Sequence, residues 1–325
     1  MKPKTRCTIC PKGCELEPGQ IGDCRVRENI AGKIRCITYG QPCSINIDPV
    51  EKKPLYHFLP GSPILSIATA GCNLHCKQCQ NWQISQTGGR YSNDADIYPD
   101  DLADLARKRH CPSIAYTYTE PLVSYEYTYD CCKAASDRGI KNVLVTAAFI
   151  NPEPLRKICR YIDAANVDLK SFSDAFYRDI CDARLQPVLK ALKVMNECDV
   201  MLEVTNLIIP TLNDSENETR QLCDWIVENL GETTPLHFSR FFPQNQLKHL
   251  YPTPAETILR AREIAMNTGL KHVYVGNISD GAGESTWCPS CDKLLIERHG
   301  YSVVRNEMKK GSCPDCGTQI NGIWE

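Results

Sequence analysis

The sequence predicts an α/β fold, a barrel or partial barrel flanked at both ends by small cysteine-rich, metal-binding modules. Three observations carry this. Between residues 63 and 277, apolar runs alternate with amphipathic stretches of helical period, which implies parallel strands joined by right-handed crossovers. Twenty of the 325 residues are cysteine, and their tightest groups lie near the two ends and in one central loop. No GxGxxG follows any of the strands, which speaks against a Rossmann sheet. The expected division is an N-terminal Cys-rich metal-binding segment at 1–62, a barrel at 63–277 and a C-terminal zinc-ribbon-like module at 278–325.

Taken in order, the first 60 residues are rich in turn formers. They hold Cys7, Cys10, Cys14 and Cys24, with two, three and nine residues between successive thiols. Turn-rich sequence with clustered thiols predicts a knuckle stabilised by an ion more than by a core. Zinc and a second iron–sulfur cluster both suit thiolates, and nearby Cys36 and Cys43 leave the ligand set open.

From residue 63 the candidate strands are 63–70, 112–118, 141–147, 165–169, 200–209, 235–241 and 272–276. Helices are expected near 99–110, 121–138, 152–163, 185–198, 214–230 and 254–268. Thr253 before Pro254 reads as a helix start, and Gly139, Gly231 and Gly269 read as helix stops. Six such units suggest a barrel, and periodicity does not separate an incomplete one from a closed one of eight units. In the tail, Cys288-Pro289-Ser290-Cys291 and Cys313-Pro314-Asp315-Cys316 form two CxxC turns with 21 residues between them. Together they offer a tetrahedral thiolate set for structural zinc, with a rubredoxin-like iron site as the alternative.

The central loop runs Ala70-Gly71-Cys72-Asn73-Leu74-His75-Cys76-Lys77-Gln78-Cys79. Three residues separate Cys72 from Cys76, and two separate Cys76 from Cys79, so one tight loop can turn all three sulfurs to a common centre. A four-iron cube needs four protein thiolates to be fully capped, and three leave one iron free for another ligand. The loop follows the apolar run from Pro63 to Ala70. That places it at the C-terminal end of a strand, where α/β folds keep their chemistry.

A net charge of −2 and a pI near 6.4 give no electrostatic case for nucleic acid or an anionic membrane surface. The N-terminus lacks an apolar signal region, and no run reaches the roughly 18–20 apolar residues of a membrane span. A cytoplasmic protein is therefore expected, and its thiols are read as metal ligands rather than disulfides.

The CxxxCxxC spacing resembles the radical S-adenosylmethionine (SAM) superfamily. The wider context, from Asp48-Pro49-Val50-Glu51-Lys52-Lys53-Pro54-Leu55-Tyr56-His57-Phe58 to Cys79-Gln80-Asn81-Trp82, is similar to the AmmeMemoRadiSam-system radical SAM enzymes. These are relatives of the pyruvate formate-lyase activating enzymes, and the likeness covers nearly the whole chain. Gln78 departs from the pattern, which usually has an aromatic residue near the SAM adenine. The resemblance implies a partial (β/α)6 TIM-like barrel, open on one side for a large substrate. It also implies a [4Fe-4S] cluster on Cys72, Cys76 and Cys79, with SAM chelating the free iron. Reductive cleavage of SAM would yield a 5′-deoxyadenosyl radical that takes hydrogen from a substrate. An electron donor such as ferredoxin or flavodoxin is implied. The substrate could be an AmmeMemo-type partner protein, a peptide or a small molecule. A glycine on a glycyl-radical enzyme is the alternative target.

By the same resemblance, Tyr118-Thr119-Glu120-Pro121 looks like the superfamily's GGEP turn, with Thr119 and Glu120 at the SAM ammonium. The plain alternative for Glu120 is a carboxylate at a helix N-terminus. Asp168-Leu169-Lys170 resembles the DLK of the activating enzymes. Strand alternation puts Asp168 and Lys170 on one face, either at the meeting point of SAM and substrate or as an internal ion pair. Glu203 is expected near ribose hydroxyls or a lining cation, or else as a buried strand carboxylate. Lys170, His237 and Arg240 are the catalytic candidates, with Arg240 suited to bidentate binding of a carboxylate. Lys52, Lys53 and His57 read as a strap between the N-terminal knuckle and the barrel, with a substrate contact as the alternative. The turn from Thr146 to Phe149 lacks the usual asparagine and glycine. His75 reads as a loop filler, and Cys111, Cys131, Cys132, Cys159, Cys181, Cys198 and Cys223 as small buried apolar residues.

A reading from another class is a non-catalytic multi-zinc scaffold or RNA-binding module. The near-neutral charge and the lack of a basic stripe with interleaved aromatics argue against it.

Overall fold

The computed structural model describes residues 4–88, 96–278 and 281–325. Its centre is an eight-stranded sheet: β1 (Pro42–Pro49), β2 (Pro63–Thr69), β3 (Ser113–Tyr116), β4 (Lys141–Thr146), β5 (Ala164–Asp168), β6 (Met201–Ile208), β7 (Leu236–Arg240) and β8 (Val273–Gly276). The strands pair in that same order. Every ladder from β2 to β8 is parallel, and β1 lies antiparallel to β2. Among the described residues β1 and β8 remain edges, so the barrel is incomplete, in agreement with the expectation.

All seven predicted strands are present. β2 reads PILSIAT and is buried after its first residue, which is the near-continuous apolar run of a strand covered on both faces. The strand β1 was not foreseen. Its sequence, PCSINIDP, has few apolar residues and is largely half-exposed, as an edge strand can be.

The helices longer than one turn are α1 (Pro99–Lys108), α2 (Tyr125–Ser136), α3 (Pro152–Cys159), α4 (Asp174–Cys181), α5 (Leu185–Glu197), α6 (Glu216–Leu230) and α7 (Ala255–Asn267). Six match expectation, and α4 is additional. It is announced by Ser173, whose hydroxyl accepts from Phe176 N at 3.3 Å. Gly139, Gly231 and Gly269 follow their helices at φ of 70°, 101° and 105°. Thr253 is not the cap of α7. Its hydroxyl instead donates to Ile208 O at 2.6 Å and accepts from Phe241 N, bridging the ends of β6 and β7.

Alternate residues of the parallel strands divide between two environments. Leu65, Ile114, Leu144 and Ala165 join the large core beneath the helices. Ile64, Ala115, Val143 and Ala164 point inward and pack on Val50, Leu55 and Phe58, so the strap plugs the bottom of the barrel. Above this plug the interior turns polar, with Thr205 donating to Asn166 Oδ1 at 2.9 Å.

Two small modules flank the barrel. Near the N-terminus, Thr5–Arg6 pairs with Glu15–Leu16, and Arg27–Ile30 pairs with Lys33–Cys36. Near the C-terminus, β9 (Thr286–Trp287), β10 (Leu294–His299) and β11 (Ser302–Asn306) form an antiparallel sheet. Among the described residues no helix is long and apolar enough to cross a membrane.

Candidate active site

A cavity of about 690 Å³ opens at the C-terminal ends of the parallel strands. Cys72, Cys76 and Cys79 line it, carried by the loop that leaves β2. Gly71 makes that loop possible. Its φ is +96°, and a Cβ there would stand 2.5 Å from Val26 Cγ1 and 2.6 Å from Cys24 O. The loop is also held to the end of α4, by His75 N and Lys77 N donating to Cys181 O and Ile180 O at 2.9 Å each.

Burial pushes the Cys72 thiol well above its ordinary value, so its anion needs a cationic partner such as iron. Among the described residues, no three of the ligating groups in this loop come within 4.8 Å of one another. Thiols spaced widely around a cavity suit a polynuclear centre, in which each thiolate takes a different iron.

Gln78 extends the fit. It is 5% exposed and lines the cavity, its amide nitrogen faces Cys181 Sγ at 3.9 Å, and its Oε1 has no partner. A buried acceptor left open beside the thiols matches a ligand carrying an N–H donor, as the amino group of adenine does.

Glu120 and Thr119 both line the cavity. Glu120 Oε1 accepts from Thr146 Oγ1 at 2.7 Å and Leu122 N at 3.1 Å, and its Oε2 accepts from Ala147 N at 2.9 Å. Glu120 thus caps a helical turn, the plainer of its two expected roles, and the residue also lines the cavity. Burial raises its pKa. The turn after β4, without its asparagine and glycine, uses its Thr146 hydroxyl and Ala147 N–H on Glu120. Thr119 Oγ1 donates to Thr69 O at 2.6 Å.

Asp168 and Lys170 are in the lining and form an ion pair at 3.0 Å. The internal ion pair, one of their two expected roles, is thus present at the cavity wall. Burial opposes the Lys170 charge, yet Asp168 and the thiols of Cys76 and Cys181 hold its pKa well above the ordinary value.

Glu203 takes the second of its two expected places, that of a buried strand carboxylate. It is fully buried and lies outside the lining of the cavity. Its Oε1 accepts from Tyr56 N and His57 N, both at 2.7 Å, and its Oε2 meets His237 Nε2 at 2.5 Å. Its carboxylate thus clamps the strap rather than meeting a ribose. His237 lines the cavity between Glu203 and the ring of Tyr274, whose centroid is 5.1 Å away. Arg240 is not in the lining. Its Nε donates to Thr253 O at 2.6 Å, and its guanidinium covers the Phe242 ring.

Several residues named in the sequence have partners that it did not give. Lys53 lines the cavity and donates to Asp48 Oδ2 at 2.6 Å, and Tyr118 hydrogen-bonds the same oxygen. Burial opposes the charge on Asp48, but donors from Lys52, Lys53 and Tyr118 keep its pKa below the usual carboxylate range. Tyr118 holds a strained turn at a positive φ of 65°. Cys181 hydrogen-bonds Cys76 while lying outside the cavity lining. It is a neighbour of the cluster loop and not merely a filler. His75 likewise does more than fill a loop, joining Gln86 at 2.6 Å and Asp23 at 2.9 Å. His57 is fully buried, bonded to Tyr274 and Asn321 O.

The two terminal thiol sets differ. Cys288 and Cys316 sulfurs are 3.5 Å apart, Cys291 and Cys313 are 3.7 Å apart, and all four group within 4.8 Å. A tetrahedral ion with metal–sulfur bonds of about 2.3 Å needs sulfurs about 3.8 Å apart. Cys7, Cys10, Cys14 and Cys24 line one small cavity without meeting that spacing.

Residues 66–226 match the family described as the Radical SAM superfamily. An uncharacterized protein of Methanocaldococcus jannaschii is 42% identical over 320 residues, covering 98% of this chain and 95% of that one. The pyruvate formate-lyase-activating enzyme of Clostridium pasteurianum is 25% identical over 168 residues, 49% of this chain and 67% of its own. Among solved structures, a radical SAM methyltransferase from Sphaerobacter thermophilus superposes with a TM-score of 0.55 at 14% identity, covering 90% of this chain and 82% of that one. SuiB of Streptococcus suis, bound to the precursor peptide SuiA, gives 0.52 at 15% identity, covering 73% and 55%.

Proposed function

Because the chain belongs to the radical SAM superfamily, we propose that it is an AmmeMemoRadiSam-type enzyme acting on a protein or peptide segment, with SAM bound against the loop of Cys72, Cys76 and Cys79. The observation that carries this reading is the open acceptor Gln78 Oε1 in the same cavity lining as the three thiols. When bound, the cluster and SAM supply one-electron reductive cleavage and a 5′-deoxyadenosyl radical that abstracts hydrogen.

The chain's own residues divide the remaining work. Cys72, Cys76 and Cys79 would each ligate one iron of the cluster, with no fourth protein thiolate required. Gln78 Oε1 accepts from the adenine amino group, replacing the stacking of an aromatic residue at that position. Glu120, fixed by Thr146 and Ala147, presents its carboxylate to the SAM ammonium. Lys170, paired with Asp168, offers a fixed positive charge to the SAM carboxylate. The strap from Val50 to Phe58 closes the barrel floor and excludes water from below.

A large substrate is supported by the unpaired edge strands and by exposed aromatics at the cavity, Phe242 at 40% and Tyr301 at 50%. A glycyl-radical target is the second reading, favoured by the similarity to an activating enzyme. Cys288, Cys291, Cys313 and Cys316 hold a structural zinc in this reading. The multi-zinc scaffold does not survive the superfamily membership.

Anoxic protein reduced in the presence of SAM should release 5′-deoxyadenosine, measured by chromatography. In deuterium-labelled cell extract, label should enter 5′-deoxyadenosine from the macromolecular fraction. Label arriving only from the small-molecule fraction would replace the polypeptide substrate with a metabolite.

A further inference from the structure

The four N-terminal thiols occupy an enclosed space of their own. Cys7, Cys10, Cys14 and Cys24 line one cavity, which also receives Arg27 and Asn73. The chain arrives there by two turns. The first is the hairpin joining Thr5–Arg6 to Glu15–Leu16, drawn tight by Cys7 N donating to Cys14 O at 2.9 Å. The second brings Cys24 in from the turn in which Gly22 N donates to Arg27 O at 2.7 Å.

Spacing separates a single ion from a cluster. A tetrahedral ion draws its sulfurs to about 3.8 Å, and the C-terminal thiols of this same chain stand at 3.5 and 3.7 Å. Among the described residues, no three of the N-terminal sulfurs lie within 4.8 Å of one another. In that respect they match Cys72, Cys76 and Cys79, not the C-terminal ribbon. Four thiols around one enclosed space, too far apart for a shared ion, suit a cube in which each binds its own iron.

The surroundings call for an anionic occupant. Arg27 is 5% exposed and lines this cavity. Two of its guanidinium nitrogens reach Glu126 at 2.7 and 2.8 Å, but its Nε has no partner. The backbone amides of Lys12 and Val26 lie near Cys10 and Cys24 and favour their thiolates. A four-thiolate centre would accept from all three.

The position relative to the active site is close. The Asn73 side chain meets Cys10, and Asn73 directly follows Cys72. On the other side, Cys24 O presses on Gly71. Lys12 and His75 both grip Asp23, at 2.6 and 2.9 Å, fastening the N-terminal turns to the cluster loop.

We propose that Cys7, Cys10, Cys14 and Cys24 ligate a second [4Fe-4S] cluster, fully capped by protein, which relays single electrons to the SAM-binding cluster. The relay, though not the metal content, rests on the radical SAM reading above. One electron from a low-potential donor of the ferredoxin or flavodoxin class reduces the outer cluster. The same electron then passes inward, the outer cluster returns to its oxidised state, and no atom is transferred.

Iron, acid-labile sulfide and zinc should be measured on full-length protein purified without oxygen. Two cubes predict about eight irons and eight sulfides per chain. The C72A/C76A/C79A protein should keep about half of that iron and remain brown, and so should C10A/C14A. Wild-type protein with about four irons would overturn the proposal, and needs no variant to fold. A triple variant that keeps about eight irons would overturn the assignment of the two cubes to these two thiol sets. For the relay, the rate of 5′-deoxyadenosine release with reduced flavodoxin is divided by the rate with dithionite. In C10A/C14A this ratio should fall by about tenfold or more. An unchanged ratio would overturn the relay.

Discussion

The cluster loop and the C-terminal ribbon both gather cysteines on turns, and they do so for opposite ends. In the ribbon, the sulfurs are crowded together and two of the four are exposed. Its own core is a handful of residues, Cys288, Leu295, Ile296, Cys313 and Ile320, of which two belong to the thiol set. In the cluster loop, the sulfurs stand apart around a cavity, and the loop rests on the main core of the barrel. A ribbon with so small a core would draw much of its stability from a bound ion, whereas the cluster loop is carried by a core that needs none. Backbone spacing of the sulfurs, not their number, tells the two uses apart.

This contrast can be broken most directly at Cys72. Exchange of Cys72 for alanine should abolish 5′-deoxyadenosine release while shifting the barrel's melting midpoint by less than about 5 °C, followed by circular dichroism. A collapse of the fold would erase the distinction. In the ribbon, Cys313→Ser should do the reverse: zinc is lost, and trypsin cuts between residues 286 and 320 in otherwise intact protein. Activity should also fall by about tenfold, because the ribbon braces the strap.

Smaller effects sharpen the picture. Glu203→Gln weakens two charge-assisted bonds to the strap and should cost about 2 kcal/mol in urea unfolding, with SAM affinity unchanged. A loss of SAM affinity without a loss of stability would restore Glu203 to the binding site. Gln78→Leu removes one acceptor, worth about 1 kcal/mol, and should weaken SAM binding about fivefold by calorimetry with the iron content unchanged.

Much of this was legible in the sequence, because the signals are local. Three thiols at CxxxCxxC spacing, apolar runs and helix-ending glycines all act within a few residues. Long-range partners were harder to read. Glu203 lies 147 residues from Tyr56, and nothing in EVTN says that its carboxylate will cap a distant backbone. Cys181 looked like any buried cysteine until α4 set it against Cys76. The strand β1 hid in turn-rich sequence because its ladder is made with β2 and needs little apolar surface of its own.

Arg298 has a consequence for the order in which the protein is made. It is completely buried in β10, donates to Tyr56 O at 2.7 Å and to Thr286 Oγ1 at 2.8 Å, and lies over the Tyr56 ring. Further along, Ile323 N donates to His57 O at 2.8 Å, and Leu59 N donates to Ile323 O at 2.7 Å. On the ribosome, all strands of the central sheet emerge before these late residues do. The floor beneath the reaction chamber is therefore braced only after the sheet is complete, and a chain stalled before Arg298 carries every ligand of the central loop above a floor that has not yet locked.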